Sequence, residues 1–322
     1  MASEFEIIRK YFYHDAAGVR LGVGDDGALI DIGDDRDLVL TTDTLVSGTH
    51  FVSTDDPFSI GYKSVAVNLS DLAAMGAVPK YVLLSLTLPV SDEIWIEQFS
   101  NGIKALLRAH SVALVGGDTT RGDTLSITLT AIGFVRSGTA LRRDHACLDD
   151  DVWVSGLIGL GSIGLLIKQG MLKFPVEEEQ DFLRHLHQPQ PRIELGQKLL
   201  GIANSAIDVS DGLVADAGHI ANQSGVKIII DREEIPVHES IKNRQFDQDV
   251  ESSILGGGDD YELLFTAKAE HMPRINSIAA ELGLPLTKIG RVAQGAGVEV
   301  CDGNGFLKKD FQKGFDHFAT RK

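Results

Sequence analysis

Five times along the chain, aspartate stands beside glycine or hydroxyl residues where a short apolar run ends. The places are Gly24-Asp25-Asp26-Gly27, Thr41-Thr42-Asp43-Thr44, Gly116-Gly117-Asp118-Thr119-Thr120, Asp208-Val209-Ser210-Asp211-Gly212 and Gly256-Gly257-Gly258-Asp259-Asp260-Tyr261-Glu262. Asn68-Leu69-Ser70-Asp71 adds a helical sixth. Both residue types tolerate the left-handed backbone of tight turns, so this punctuation dictates many short elements rather than a few long helices. The 34 glycines against nine prolines agree. At 322 residues, the chain is about twice the size of a typical single domain, which predicts two.

Apolar periodicity fills in the elements between the turns. Strands are expected at 28–32, 38–42, 81–88, 113–115, 126–135, 152–155, 206–209, 226–230, 261–266 and 298–301. Helices are expected over the amphipathic N-terminus (Phe5, Ile7, Ile8, Tyr11, Phe12) and at 59–75, 92–110, 161–169, 193–202 and 210–225. Gly76 and Pro79 supply the stop signal for the helix that carries Asp71. The acidic, turn-like stretch after Arg143 marks the boundary, giving domains 1–148 and 149–322, both mixed α and β. The fold class is α+β.

Charge narrows the function. With 46 acidic and 30 basic residues, the net charge is −16, which excludes a surface built for nucleic acid or anionic membrane. An anionic substrate then needs neutralisation by something other than basic side chains, and divalent metal is the candidate. Magnesium takes hard oxygen ligands, normally one or two carboxylates with phosphate oxygens and water, so dispersed aspartates point to several ions around a polyphosphate. Glycines beside them let backbone N–H groups approach phosphate. Ser210 can cap a helix N-terminus and also serve a phosphate there.

Other signals are negative. Gly159-Leu160-Gly161-Ser162-Ile163-Gly164 matches G-x-G-x-x-G, yet no acidic strand end follows about 20 residues later, and tight strand-to-helix packing explains it better. The sequence contains no G-x-x-x-x-G-K-[ST] and no protein-kinase signature set. Its histidines form no H-E-x-x-H. Cys147 and Cys301 are too few for a disulfide framework, and a reducing cytoplasm is expected. Neither a signal peptide nor a membrane-spanning run is read.

In order and almost end to end, the acidic motifs resemble those of the thiamine-monophosphate kinases. They are Gly24-Asp25-Asp26, Ser70-Asp71-Leu72-Ala73-Ala74-Met75-Gly76, Gly116-Gly117-Asp118-Thr119-Thr120-Arg121-Gly122, Asp208-Val209-Ser210-Asp211-Gly212, Asp260-Tyr261-Glu262-Leu263 and Gly314-Phe315-Asp316-His317-Phe318. The wider superfamily contains aminoimidazole ribonucleotide synthetase, selenophosphate synthetase and a hydrogenase maturation protein. This chain lacks the N-terminal reactive cysteine or selenocysteine of the second and the C-terminal cysteine of the third.

The resemblance implies ATP-dependent phosphorylation of thiamine monophosphate to thiamine diphosphate by direct in-line attack, with no phosphoenzyme. It implies a homodimer whose N-terminal sheets pair into a barrel, with ATP between the two domains. Carried over residue by residue, the metal ligands for Mg2+ fall on Asp26, Thr41, Thr42, Asp43, Asp71, Asp118, Asp208 and Asp211. ATP contacts fall on Gly117, Asp118, Arg143 and Ser210, and substrate contacts on His50, Glu262 and Phe315. Asp43, Asp71, Asp118 and Asp208 are the catalytic carboxylates. Two departures occur: Asp259 stands where the family commonly has Glu, and 144–151 lacks the usual glycine. Arg121 receives no role. The alternatives are another ATP-using enzyme of the superfamily, or a structural protein that binds calcium or magnesium.

Overall fold

The computed structural model describes residues 18–22, 24–244 and 247–302, together with the backbone of 307–308. The expected N-terminal helix and Phe315 lie outside the described residues.

Two sheets organise the chain. The first takes β1 (Val19–Leu21), β2 (Ala28–Asp31), β3 (Arg36–Val46), β4 (Val78–Leu88), β5 (Ala113–Arg121) and β6 (Ser126–Arg136) in the order β1-β2-β3-β6-β4-β5. Helices α1 (Pro57–Ala74) and α2 (Glu93–Ala109) belong to this half. All its strand pairs are antiparallel except β4 with β5.

The second half supplies β7 (Asp151–Ser155), β8 (Ala203–Asp208), β9 (Lys227–Asp231), β10 (Leu263–Ala267), β11 (Leu286–Ala293), β12 (Gly297–Cys301) and β13 (Leu307–Lys308), in the order β13-β12-β9-β11-β7-β10-β8. Its helices are α3 (Leu160–Lys168), α4 (Val176–His187), α5 (Ile193–Leu199), α6 (Leu213–Ser224), α7 (Gln248–Gly256) and α8 (Met272–Leu282).

α1 is the pivot of the architecture. Asp56 caps it by accepting the Ser59 N–H at 3.0 Å, and Pro57 opens it with a φ already suited to a helix. Gly76, at φ 69°, ends it in the left-handed region. Fourteen of its 18 residues are buried, because it is covered on several sides rather than along one stripe. α2 presses close to it: a Cβ on Gly61 would collide with the Phe99 carbonyl, and one on Gly102 with that of Phe58. The apolar core around α1 runs from Val39, Leu129 and Ala131 of the first sheet to Trp153, Ala206 and Phe265 of the second. One continuous core therefore holds the two sheets against the same helix. A second core, including Val154, Ile163, Ile207, Ile220 and Ile228, fills the other face of the second sheet.

The strands and helices expected within the described residues are present, with differences. β5 continues to Arg121, so Gly116-Gly117-Asp118 lies inside an edge strand rather than in a turn. Gly117 is required there for packing: at φ 150°, its Cβ would overlap the Leu84 carbonyl of β4. β1, β11, β13, α7 and α8 are additional to the sequence reading, although Pro273 and Gly283 punctuate α8 and Gly256-Gly257-Gly258 ends α7. The acidic run at 177–181 opens α4.

Candidate active site

Three carboxylates converge where the two halves meet. Asp26 precedes β2, Asp71 lies in the last turn of α1, and Asp208 ends β8. Each offers an oxygen within 4.8 Å of the others. Hydroxyl groups orient two of them: Ser70 donates to Asp208 at 2.6 Å and Thr41 donates to Asp71. Arg143 holds the third through a fork, Nη2 to Asp26 Oδ1 at 2.6 Å and Nε to Oδ2 at 3.1 Å, while its backbone N–H donates to Asp25 at 3.1 Å.

Like charges this close in a poorly solvated place resist ionisation. Burial, followed by the charges of Asp43, Asp208 and Asp26, pushes Asp71 well above the ordinary carboxylate range. Part of the Asp71 surface still faces the cleft. Burial and Asp26 do the same to Asp208, against the relief given by Ser70. Asp25 rises to about 7 through burial and Asp26. Burial would lower the Arg143 guanidinium, but Asp26 outweighs it and the group is held protonated. A single arginine does not balance this cluster, so the set calls for a multivalent cation or for protons.

Asp43 shares the α1 face of β3 with Thr41, and its charge is one of those that raise Asp71. Thr42 points the other way, as strand alternation requires, and its hydroxyl donates to the Leu129 carbonyl at 2.9 Å. Asp118 is also on that opposite face. The register Thr44↔Thr128↔Ser85↔Asp118 carries it three strands away, about 14 Å at the usual strand spacing. Within one chain, then, Asp118 and Thr42 do not join Asp26, Asp71 and Asp208.

Asp211 belongs to a second group with Asp216 and His219, whose ligand atoms also lie within 4.8 Å of one another. Asp216 accepts the backbone N–H groups of Ser210, Asp211 and Gly212 at 3.1, 3.2 and 3.1 Å, closing the turn into α6. Burial and then Arg143 press the His219 imidazole down to about 4. Gly258 is wedged against the Ser210 carbonyl, where a Cβ would not fit, and the Asp259 N–H donates to that carbonyl at 3.0 Å. The glycine loop and the start of α6 thus form one surface, to which Ser210 belongs.

The remaining candidates have internal partners. Glu262 is buried, with its carboxylate held by the Arg192 fork and by Ser155. His50 Nδ1 accepts the Val46 N–H at 3.0 Å, which fixes its ring beside the end of β3. The G-x-G-x-x-G turn binds a carboxyl group of its own chain: Gly159 and Gly161 donate to Asp260 at 2.7 and 3.0 Å. Burial lifts Asp260 to about 8 despite those bonds.

Sequence reasoning passed over Asp25, Ser70, Asp216, Arg192 and Lys63 as participants. Ser70 and Lys63 lie seven residues apart on α1 and so share a helical stripe.

Comparison with known proteins identifies the architecture. Residues 24–135 match the family described as AIR synthase related protein, N-terminal domain, and residues 149–302 its C-terminal domain. The thiamine-monophosphate kinase of Haemophilus influenzae is 42% identical over 328 residues, covering 99% of both chains. That of Escherichia coli strain K12 is 43% identical, covering 98% of each.

The chain belongs to the thiamine-monophosphate kinase family.

Among solved members, one described as AaThiL complexed with AMPPCP and TMP superposes with a TM-score of 0.85 at 34% identity, over 98% of this chain and 97% of that one. The Stenotrophomonas maltophilia thiamine-monophosphate kinase gives 0.80 at 45% identity, over 91% and 93%. The hydrogenase maturation protein HypE in complex with ATP, 21% identical with a TM-score of 0.71, shares the fold.

Proposed function

We propose that this chain transfers the γ-phosphoryl group of ATP to the phosphate of thiamine monophosphate, giving thiamine diphosphate and ADP. The observation that carries the reading is the meeting of Asp26, Asp71 and Asp208 from both halves of the fold, with Arg143 as the cation bound among them. Relatives over nearly the whole chain are named thiamine-monophosphate kinase, and a solved family member is described as complexed with AMPPCP and TMP.

Transfer between two phosphates needs little covalent help, because the acceptor oxygen is already ionised at neutral pH. Positioning and charge neutralisation dominate. The acceptor oxygen attacks the γ-phosphorus in line, the bond to the β,γ-bridging oxygen breaks, and no proton need move. Magnesium held by Asp26, Asp71 and Asp208, with Asp43 beside them, would supply charge neutralisation to the phosphate oxygens. The close approach and raised protonation of these carboxylates fit that donor set. Thr41 and Ser70 keep two of the ligands aimed. Arg143 and the Ser210–Gly258 surface would serve the nucleotide phosphates, and His50, Glu262 and Phe315 the substrate, as the family pattern suggests.

We place the domain boundary between residues 148 and 149 and read the chain as a homodimer in the cytoplasm. Support for the dimer comes from β5, a nine-residue edge strand exposed throughout. Such an edge invites pairing. Gly117 and Asp118 lie on it, remote from the carboxylates of their own chain, so a second copy that packs the open sheet faces together would give them a role. Among the described residues, no helix is long and apolar enough to cross a membrane.

The test is to incubate the protein with ATP, magnesium and thiamine monophosphate and follow both products. One thiamine diphosphate per ADP, absent with unphosphorylated thiamine and lost in Asp43→Ala, supports the reading. ADP formed without thiamine diphosphate refutes the assigned acceptor.

A further inference from the structure

A second buried cation reaches from α1 to the glycine loop of the other half of the molecule. Lys63 lies on α1, seven residues before Ser70 and therefore on the same stripe, about 10 Å nearer the helix N-terminus. Its side chain is 8% exposed, and Nζ pairs with Asp259 Oδ1 at 2.8 Å. Asp259 is the open member of the pair, 32% exposed.

Three observations separate this pair from an ordinary bridge between helices. Asp259 has φ 70° and Tyr261 φ 53°, left-handed conformations that non-glycine residues avoid unless the surroundings impose them. The Tyr261 hydroxyl donates to the same oxygen of Asp259 at 3.1 Å, so the carboxylate is aimed from two sides. The Asp259 N–H is bound to the Ser210 carbonyl, and Glu262 follows three residues later. Lys63 is therefore tied, through Asp259, to the loop that carries both the Ser210 contact of the surface proposed for the nucleotide and Glu262, proposed for the substrate. Buried lysine ammonium is a compact point charge on a flexible stem, able to change partners without rearranging the helix that carries it.

We infer that Lys63 is a further catalytic residue of this site, whose ammonium passes from Asp259 to the acceptor phosphate when substrate enters. This rests on the phosphoryl-transfer reading above. In the step, the new bond forms between an acceptor oxygen and the γ-phosphorus as the bond to the bridging oxygen breaks, and ADP leaves with that electron pair. Lys63 neutralises the acceptor phosphate throughout and keeps its protons. Asp259 holds the ammonium in the cleft beforehand, a positioning role with no contact to the reacting atoms.

Three variants of the full chain test this: Lys63→Met, Lys63→Arg and Asp259→Asn. Each is assayed with ATP, magnesium and thiamine monophosphate, and its affinities for thiamine monophosphate and thiamine are measured separately by calorimetry. Lys63→Met is expected to lose about 100-fold or more in kcat, as for removal of a group that stabilises transition-state charge. It should also lose about tenfold or more in affinity for thiamine monophosphate while binding thiamine as before. Lys63→Arg should recover most of the loss, and Asp259→Asn, which removes only the group that holds the ammonium, should lose about three- to tenfold in kcat, well short of Lys63→Met.

Equal damage from Lys63→Met and Asp259→Asn would make the pair a structural bridge and overturn the inference. So would a parallel loss of affinity for both ligands. Should Lys63→Met fail to fold, Lys63→Gln takes its place: a folded Lys63→Gln protein that keeps the parent's kcat and affinity for thiamine monophosphate overturns the inference. An unmodified protein that forms no thiamine diphosphate would remove the function reading itself, a result distinct from any difference among the variants.

Discussion

Replacing Arg143 with methionine tests the electrostatics of the cluster most sharply. The arginine side chain is 14% exposed and its partner Asp26 1% exposed, so the fork between them is shielded from water. Removing one member of a buried pair typically costs about 3–5 kcal/mol, since the other is left charged and unpaired. A stranded carboxylate can be neutralised by a proton instead, and from an ordinary pKa of about 3.9 that costs about 5.5 kcal/mol at pH 8 but only about 1.5 kcal/mol at pH 5. The cheaper route sets the loss. In the presence of a chelator, Arg143→Met should therefore destabilise the protein by about 3–5 kcal/mol at pH 8 and by about 1.5 kcal/mol at pH 5. In thermal unfolding, the pH 8 loss corresponds to a fall of roughly 4–7 °C for a chain of this length. Calorimetry of parent and variant at both pH values measures it. An equal loss at pH 5 and pH 8, or a loss below about 1 kcal/mol at pH 8, would refute the argument that Arg143 offsets buried negative charge.

Three further outcomes follow from the geometry. Asp71→Asn and Asp208→Asn should each lower kcat by about 100-fold or more with the fold intact, read by steady-state kinetics alongside circular dichroism. The raised protonation of Asp71, Asp208 and Asp260 sets the sign of the pH dependence without metal: ionisation is deferred in the folded state, so stability present below about pH 4 is lost as pH rises toward the folded value, about 8 for Asp260. Magnesium binding should reverse part of that loss and release protons, which calorimetry in buffers of different ionisation enthalpy detects. Gly61→Ala should destabilise the protein by about 1–3 kcal/mol through collision with the Phe99 carbonyl, measured by urea denaturation.

The sequence was most informative where chemistry and periodicity coincided. Asp71 could be placed on a helix because Gly76 and Pro79 stop it, and Asp208 at a strand end because Ser210-Asp211-Gly212 breaks the run. These two residues do meet. Thr41 and Thr42 were read together, yet strand alternation sends one hydroxyl to Asp71 and the other to the opposite face. Gly116-Gly117-Asp118 has the composition of a turn, but close approach by the β4 backbone accounts for Gly117 and keeps the segment extended. That approach is a tertiary fact, invisible to local pattern. The G-x-G-x-x-G turn packs against the chain's own residues. Its ligand, Asp260, comes from about 100 residues further along the chain, and only the fold could reveal it. Lys63 was missed because a lone lysine on a buried helix has no motif around it. Its meaning arises from Asp259, which belongs to the other half of the molecule.

The central claim is that Asp26, Asp71 and Asp208 gather divalent cation against the phosphates of ATP and thiamine monophosphate. A crystal of the protein grown with AMPPCP, thiamine monophosphate and manganese, with anomalous data collected at the manganese edge, tests it most directly. The account expects manganese density bounded by those three carboxylates, with the γ-phosphonate and the acceptor phosphate on either side of the transfer path. Both ligands bound with no anomalous peak among the three aspartates would contradict it.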